Sequence, residues 1–242
     1  MTPSIQQRRV ASGLGFCRAA LDLIAGRTRR GQRSCVVFDI DNTLVDTRHR
    51  TRAAARSYVR RDPAAAGLLC VRVGYDGLQT AQRAGLSPAR ARRFQRFWER
   101  FFWDTRHFKH DRRIGITGQL VRQARAAGAE VFYLTGRVEE RRCGTVAQLR
   151  RLGLPDADRE HVVCKPRLGT PTGPFKQRVL DRLHRRDPGR TIAWFMSDSR
   201  KDVAAVQRAG TPAPCVLIDF PVGPGERRPT PIRDGTPTIR LR

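Results

Sequence analysis

The chain is expected to fold as α/β, a Rossmann-like parallel sheet with helices on both faces and an inserted helical segment. Three observations lead there. From Ile114 onward, short apolar runs alternate with stretches of helical periodicity, the order that builds a parallel sheet. Near residue 35 an apolar run breaks directly into a loop dense in oxygen ligands. Between the two, residues 48–112 read as helical and interrupt the alternation, as an insertion does.

The apolar run is Val36, Val37 and Phe38, a short buried strand, and Asp39, Ile40, Asp41, Asn42 and Thr43 follow it. Before it, Val10, Leu14, Cys17, Leu21 and Ile24 recur at helical spacing within residues 4–25, so a helix with one apolar face is expected, ended by Gly26. Residues 27–33 read as a basic linker, giving an N-terminal segment over residues 1–33. Inside the insertion, helices are expected over residues 49–61, stopped by Asp62-Pro63, and over 75–84. A stronger one follows, with Ser87 as N-cap and Pro88 at its first position. Its Phe94, Phe97, Trp98, Phe101 and Phe102 lie on one face, the pattern that burial requires.

The core is expected over residues 34–47 and 113–219. It continues with a helix over 119–127 closed by Gly128, a strand over 130–134 ending in Thr135-Gly136-Arg137, a helix over 139–152 and a strand over 161–164. A helix over 175–185, a strand over 191–196, a helix over 202–209 and a strand over 215–218 complete it. Residues 220–242 are rich in Pro, Gly, Arg and Thr and read as a loosely held tail.

A chain of 242 residues with 39% hydrophobic and 29% charged residues can bury one sizeable core, which excludes a disordered class. The formal net charge of +26 is carried almost wholly by arginine, since Lys109, Lys165, Lys176 and Lys201 are the only lysines. Such a balance points to an anionic partner, nucleic acid included, or to a compositional bias toward arginine. No apolar run approaches the ~20 residues that a bilayer span needs. The six cysteines are scattered without a Cys-x-x-Cys pair and read as buried thiols of a reducing, cytoplasmic compartment.

Two carboxylates at a strand end, Asp39 and Asp41, stand where an open α/β sheet receives its ligand. They either cap a turn or work as a pair. As a pair they would repel one another without a cation, and a hard divalent metal such as Mg²⁺ beside phosphate removes that repulsion. One carboxylate as nucleophile and the other exchanging a proton with the leaving group can carry covalent phosphoryl transfer.

The sequence Phe38-Asp39-Ile40-Asp41-Asn42-Thr43 resembles the opening motif of the haloacid dehalogenase-like superfamily of Mg²⁺-dependent phosphohydrolases. Val131 to Thr135 is similar to its second motif, an apolar strand ending in Thr or Ser. Asp198 and Asp202 match its final acidic pair, with Ser197 where the family usually has Gly. The resemblance covers residues 34–219, and the insertion resembles the family's C1 helical cap. Thr-Gly-Arg at 135–137, with Phe175-Lys176 later, is similar to the acid-phosphatase-like branch.

The resemblance implies a phosphatase acting on a small phosphomonoester through an aspartyl-phosphate. Asp39 would be the nucleophile and Asp41 the general acid and base, which calls for a raised carboxyl pKa. Mg²⁺ would be held by Asp39, Asp198 and the backbone carbonyl of Asp41, with Asp202 in support. Thr135 and a lysine would donate to the phosphoryl oxygens, and Thr43, Gly136 and Arg137 would line the substrate. Lys165 and Lys176 both qualify, and Lys176 is the better placed because it opens a helix with a buried face. A dehalogenase is disfavoured because carbon–halogen displacement has no need of Asp41. A phosphomutase, or a nucleic-acid-binding protein or polynucleotide end-phosphatase on the same scaffold, stand as alternatives. The sequence sets neither the substrate nor the oligomeric state.

Overall fold

The computed structural model describes residues 13–220 and 232–241. Helix α1 (Gly13–Arg29) leads into β1 (Ser34–Phe38). The short β2 (Val45–Asp46) precedes α2 (Arg48–Val59), α3 (Gly77–Arg83) and α4 (Pro88–Trp103), and β3 (Arg112–Arg113) follows them. The remainder alternates: α5 (Gly115–Ala126), β4 (Glu130–Val138), α6 (Arg142–Arg151), β5 (Val162–Lys165), α7 (Thr172–Arg186), β6 (Thr191–Ser197), α8 (Arg200–Arg208), β7 (Cys215–Asp219) and β8 (Thr238–Arg240).

Six strands form one parallel sheet in the order β5-β4-β1-β6-β7-β8. Successive side chains of β1 point to opposite faces, so Val36 and Phe38 enter one core and Cys35 and Val37 the other. The first core is covered by α1, α5 and α6 through residues such as Ile24, Val121 and Leu149. The second is covered by α7 and α8 through Phe175, Leu180, Val203 and Val206. Burial on both faces is why these strands read as continuous apolar runs. From central β1 the chain goes to β4 on one side and later to β6 on the other, which opens a crevice at the carboxyl end of β1.

The segment between β2 and β3 has its own core, built from Ala54, Tyr58, Leu68, Phe94, Phe97, Trp98 and Phe102. Its two ends are clasped where β2 and β3 pair antiparallel, Val45 opposite Arg113 and Asp46 opposite Arg112. The aromatic face of α4 is thus spent inward, with Tyr58 edge-on to Phe94 and Trp98 stacked on Phe102.

Three expectations are corrected. Helix α1 runs through Gly26 to Arg29, and the chain turns at Gly31, whose φ of 70° lies in the left-handed region. The part of the expected helix before residue 13, with Val10, lies outside the described residues. Strand β4 does not stop at Leu134 but continues to Val138 across a register shift between Thr135 and Val138. The tail is not loose throughout, because Thr238–Arg240 pairs parallel with β7 and buries Ile239 in the core. Gly13 permits this, since a Cβ there would lie 2.6 Å from the Thr238 carbonyl carbon. No described helix is long and apolar enough to cross a membrane.

Candidate active site

Asp39 ends β1 and is 6% exposed. Its Oδ1 lies 2.8 Å from the Lys176 Nζ and accepts from the Ile40 amide at 2.8 Å. Its Oδ2 accepts from the Ser197 hydroxyl at 3.2 Å. The loop can turn back so tightly because Asn42 adopts φ of 57°, a conformation that asparagine tolerates, with its side chain bonded to the Thr47 hydroxyl at 2.6 Å. Thr43 is fully buried and accepts from the Asp198 amide at 2.9 Å. Its hydroxyl therefore ties the loop after β1 to the end of β6.

Lys176 sits in the first turns of α7 and is 1% exposed. Its ammonium bridges Asp39 and the Asp202 Oδ2, the latter at 2.7 Å. Burial works against the charged form, but Asp202 and Asp39 outweigh it and raise the ammonium above its usual range. The close approach of α7 to α8 that allows this bridge needs Gly173, where a Cβ would stand 3.0 Å from that of Ala205. Lys165 is placed differently, with its Nζ donating to the carbonyls of Leu168 and Thr170 at 3.1 and 3.3 Å. Thr135 is buried in β4 opposite Cys164 of β5, its hydroxyl accepting from the Arg137 amide at 3.2 Å. Gly136 faces the start of α7, where a Cβ would be 3.2 Å from Thr172.

Asp41 and Arg137 depart from expectation. The register shift in β4 turns Arg137 inward, as bulges beside functional sites do. Its Nε and NH2 grip the Asp41 carboxylate at 2.9 and 2.7 Å, and NH1 donates to Gln148 at 2.6 Å. A second buried guanidinium, Arg50, reaches Asp41 at 2.9 Å and Asp111 at 3.0 Å and donates to the Phe102 carbonyl at 2.7 Å. Both arginines lie over the Phe108 ring. Two cations and two anions balance, so the cluster is tolerable away from water. Burial pushes the Asp41 carboxyl up, but Arg137 and Arg50 win and hold it at about 2. The expected general acid with a raised pKa is thus an ionised carboxylate with its oxygens engaged, and Arg137 is 1% exposed and committed to that carboxylate, not turned to a substrate.

Metal binding depends on what these contacts leave over. Among the described residues no group of three or more His, Cys, Asp or Glu side chains is arranged to hold a metal ion. Asp202 is turned onto Lys176 and the Asp41 side chain onto its arginines, whereas the part expected of Asp41 is that of its backbone carbonyl and the part expected of Asp202 is support from outside the ligand set. Asp39 and Asp198 are the remaining pair. Burial raises the carboxyl pKa of both, Asp39 raises that of Asp198 and Asp202 raises both, with Lys176 opposing. Two carboxylates destabilised in this way fit Mg²⁺, which takes one or two protein carboxylates and keeps waters and phosphate for its other positions.

The insertion contributes Tyr75, which residue patterns gave no reason to single out. Its loop is pinned to α3 by the Gly74 amide on Thr80 at 2.9 Å and by the Tyr75 amide on Gln79 at 2.6 Å. Half of the tyrosine surface is exposed, yet surrounding protein and then Asp198, Asp202 and Asp39 raise its hydroxyl above the ordinary phenol range. A side chain of the insertion therefore shares the field of the core carboxylates. Arg50 and Asp111 were missed as well, the first because it is one arginine among many until the fold buries it.

No family model and no curated protein matches the chain. Solved structures do resemble it. A candidate phosphatase from Clostridium difficile superimposes with a TM-score of 0.58 at 14% identity, covering 87% of this chain and 94% of that one. Protein tyrosine kinase A from Mycobacterium tuberculosis gives 0.55 at 18% identity, covering 86% and 93%. A haloacid dehalogenase-like family hydrolase from Streptococcus pneumoniae gives 0.50 at 13% identity, covering 78% and 85%. A phosphatase and a kinase among the relatives show that this architecture alone does not set the chemistry. The sheet order, the inserted helical segment and these superpositions agree on the architecture: the chain has the haloacid dehalogenase-like fold.

Proposed function

We propose that the protein is a Mg²⁺-dependent phosphatase acting on a small phosphomonoester through an aspartyl-phosphate on Asp39. The observation that carries this reading is the buried Lys176 ammonium held between Asp39 and Asp202 at the carboxyl end of β1, with Asp198 adjoining. The Asp39 Oδ2 has a single long contact, to Ser197, and is the oxygen free to attack phosphorus. Oδ1, held by Lys176 and the Ile40 amide, keeps the carboxylate aimed. As the phosphorus–oxygen bond of the ester breaks, the phosphoryl group passes to Asp39 and the leaving oxygen takes a proton from solvent; water then attacks the acyl-phosphate, gives up a proton to solvent and releases orthophosphate and the free Asp39 carboxylate. Lys176 offsets charge on the phosphoryl oxygens in both steps, with the Thr135 hydroxyl as a second donor. Asp39 and Asp198 would hold Mg²⁺, which when bound neutralises phosphoryl charge. In this reading Asp41, held by Arg50 and Arg137, fixes the loop that carries Asp39.

The segment 48–112 is proposed as a cap over this site, which the position of Tyr75 in the field of the carboxylates supports. A reducing, cytoplasmic location is part of the same reading and is supported by six free thiols, four of them buried.

Steady-state release of phosphate from an aryl phosphate tests the reaction. Asp39→Asn is expected to abolish turnover with the fold retained, because an amide is a far weaker nucleophile. Near-normal turnover by that variant overturns the covalent mechanism.

A further inference from the structure

Away from Asp39, on the outer side of α2, lies a concavity of about 390 Å³. Five permanent cations line it from four elements: Arg52 and Arg56 from α2, Lys109 from the turn before β3, Arg112 from β3 and Arg151 from α6. Arg52 and Arg56 are one helical turn apart and so present their charges side by side. The one carboxylate in the lining is Asp111, and its charge is already taken. It is 1% exposed, its Oδ1 accepts from the Arg50 Nε at 3.0 Å, and its Oδ2 accepts from Gln148 at 2.6 Å. Among the described residues Arg52, Arg56, Lys109 and Arg112 form no ion pair. Arg151 uses one NH2 on the carbonyls of Phe108 and Asp111, at 3.2 and 3.4 Å, which anchors it at the rim.

Convergent like charges without counter-charges cost free energy, so their retention in a bounded hollow calls for an anion that neutralises several at once. A single carboxylate ligand would offset one of five. Guanidinium forks match phosphate oxygens in pairs, and several such forks suit linked phosphates. The His110 imidazole, also in the lining, reports the same field: burial, then His107, Lys109 and Arg56, hold it below its usual range. A nucleic-acid strand is a poorer fit, because stacking platforms are lacking. The aromatic side chains of α4 are buried in the insertion's own core, and the lining holds no Phe, Tyr or Trp.

We propose that this concavity is a binding site for a small ligand carrying two or more linked phosphate groups, separate from the site around Asp39 and independent of the reading given to it. Calorimetric titration of the full-length Asp39→Asn protein with inorganic tripolyphosphate, without divalent metal, tests it. The expected result is one tripolyphosphate bound per chain, more tightly than orthophosphate. Affinity should fall by roughly tenfold or more in Arg52→Ala/Arg56→Ala, the scale for losing charge-assisted bonds. Lys109→Ala, added as a separate variant, should weaken binding too. All three side chains are exposed, so the variants are expected to unfold at the temperature of the parent. Tripolyphosphate binding that is absent, or that is unchanged in both variants, overturns the proposal. Binding of a single-stranded oligonucleotide through these residues without binding of tripolyphosphate also overturns it, and assigns the surface to nucleic acid instead.

Discussion

At the scale of single residues, the two lysines that sequence reasoning proposed are separated by what surrounds them. Lys176 is buried between two carboxylates, whereas Lys165 is spent on carbonyls of its own loop. Replacing Lys176 removes a transition-state donor and leaves Asp39 facing Asp202 uncompensated. Lys176→Ala should therefore lower turnover by about 10²-fold or more at saturating Mg²⁺, with a smaller effect for Lys165→Ala. Steady-state phosphate release by both variants checks this, and the reverse order would move the role to Lys165. Asp41 shows how far a neighbourhood alters a carboxyl: two residues from Asp39, it falls to about 2 while Asp39 rises. The difference lies in which cations reach each one, two guanidinium groups in one case and a shared ammonium in the other.

At the scale of elements, His161 fastens the loop before β5 to the start of β4. Its Nδ1 lies 2.8 Å from Asp158 and its Nε2 3.1 Å from Glu130. Burial lowers the imidazole pKa, but Asp158 and Glu130 outweigh it and raise the group above 6.5. A base raised in the folded state contributes stability that is fully present below its unfolded pKa and is lost as pH rises through the folded one. Its partners Asp158 and Glu130 are 43% and 31% exposed, so solvent screens the pairs and the contribution is modest. His161→Ala should cost about 1 kcal/mol at pH 5 and progressively less above pH 7, by denaturant unfolding across that range. A cost independent of pH would mean that ring packing against Phe132, at 5.1 Å, is what matters. The same scale explains Arg137: a register shift within β4, not a loop, turns it into the core.

At the scale of the whole molecule, the charges of Asp39 and Asp198 oppose folding at neutral pH. Asp39 and Asp198 have raised carboxyl pKa values, and an acid raised in the folded state stabilises below its unfolded pKa and loses that contribution as pH rises through the folded value. A divalent cation relieves this by mass action on the native state. Mg²⁺ should raise the unfolding temperature at pH 7, the rise should shrink in acid as the carboxyls protonate, and Asp198→Asn should remove it. Thermal unfolding with Mg²⁺ and with chelator checks this, and an equal shift in Asp198→Asn would place the cation elsewhere. The two chain ends also act at this scale: α1 packs on β8 through Gly13, so segments on either side of the motif-bearing core are built into one structure.

The sequence by itself determined the features that local pattern encodes. Apolar runs at β1, β4, β6 and β7 mark strands buried on both faces, helical periods mark their covers, and Asp39 at the end of the β1 run marks the crevice. The position of Lys176 was legible for a related reason, since a charge in the first turns of a helix with a buried face has a fixed aim. What tertiary structure alone decided depends on partners far apart in the chain. Asp41 meets Arg137 across 96 residues and Arg50 meets Asp111 across 61; nothing local distinguishes Arg50 from the exposed arginines, and nothing local turns Arg137 onto Asp41. Thr238–Arg240 became a strand because β7 offered an unpaired edge, which no composition of the tail could announce. Short-range spacing fixes where a side chain starts, whereas its charge state and its partner are properties of the folded neighbourhood.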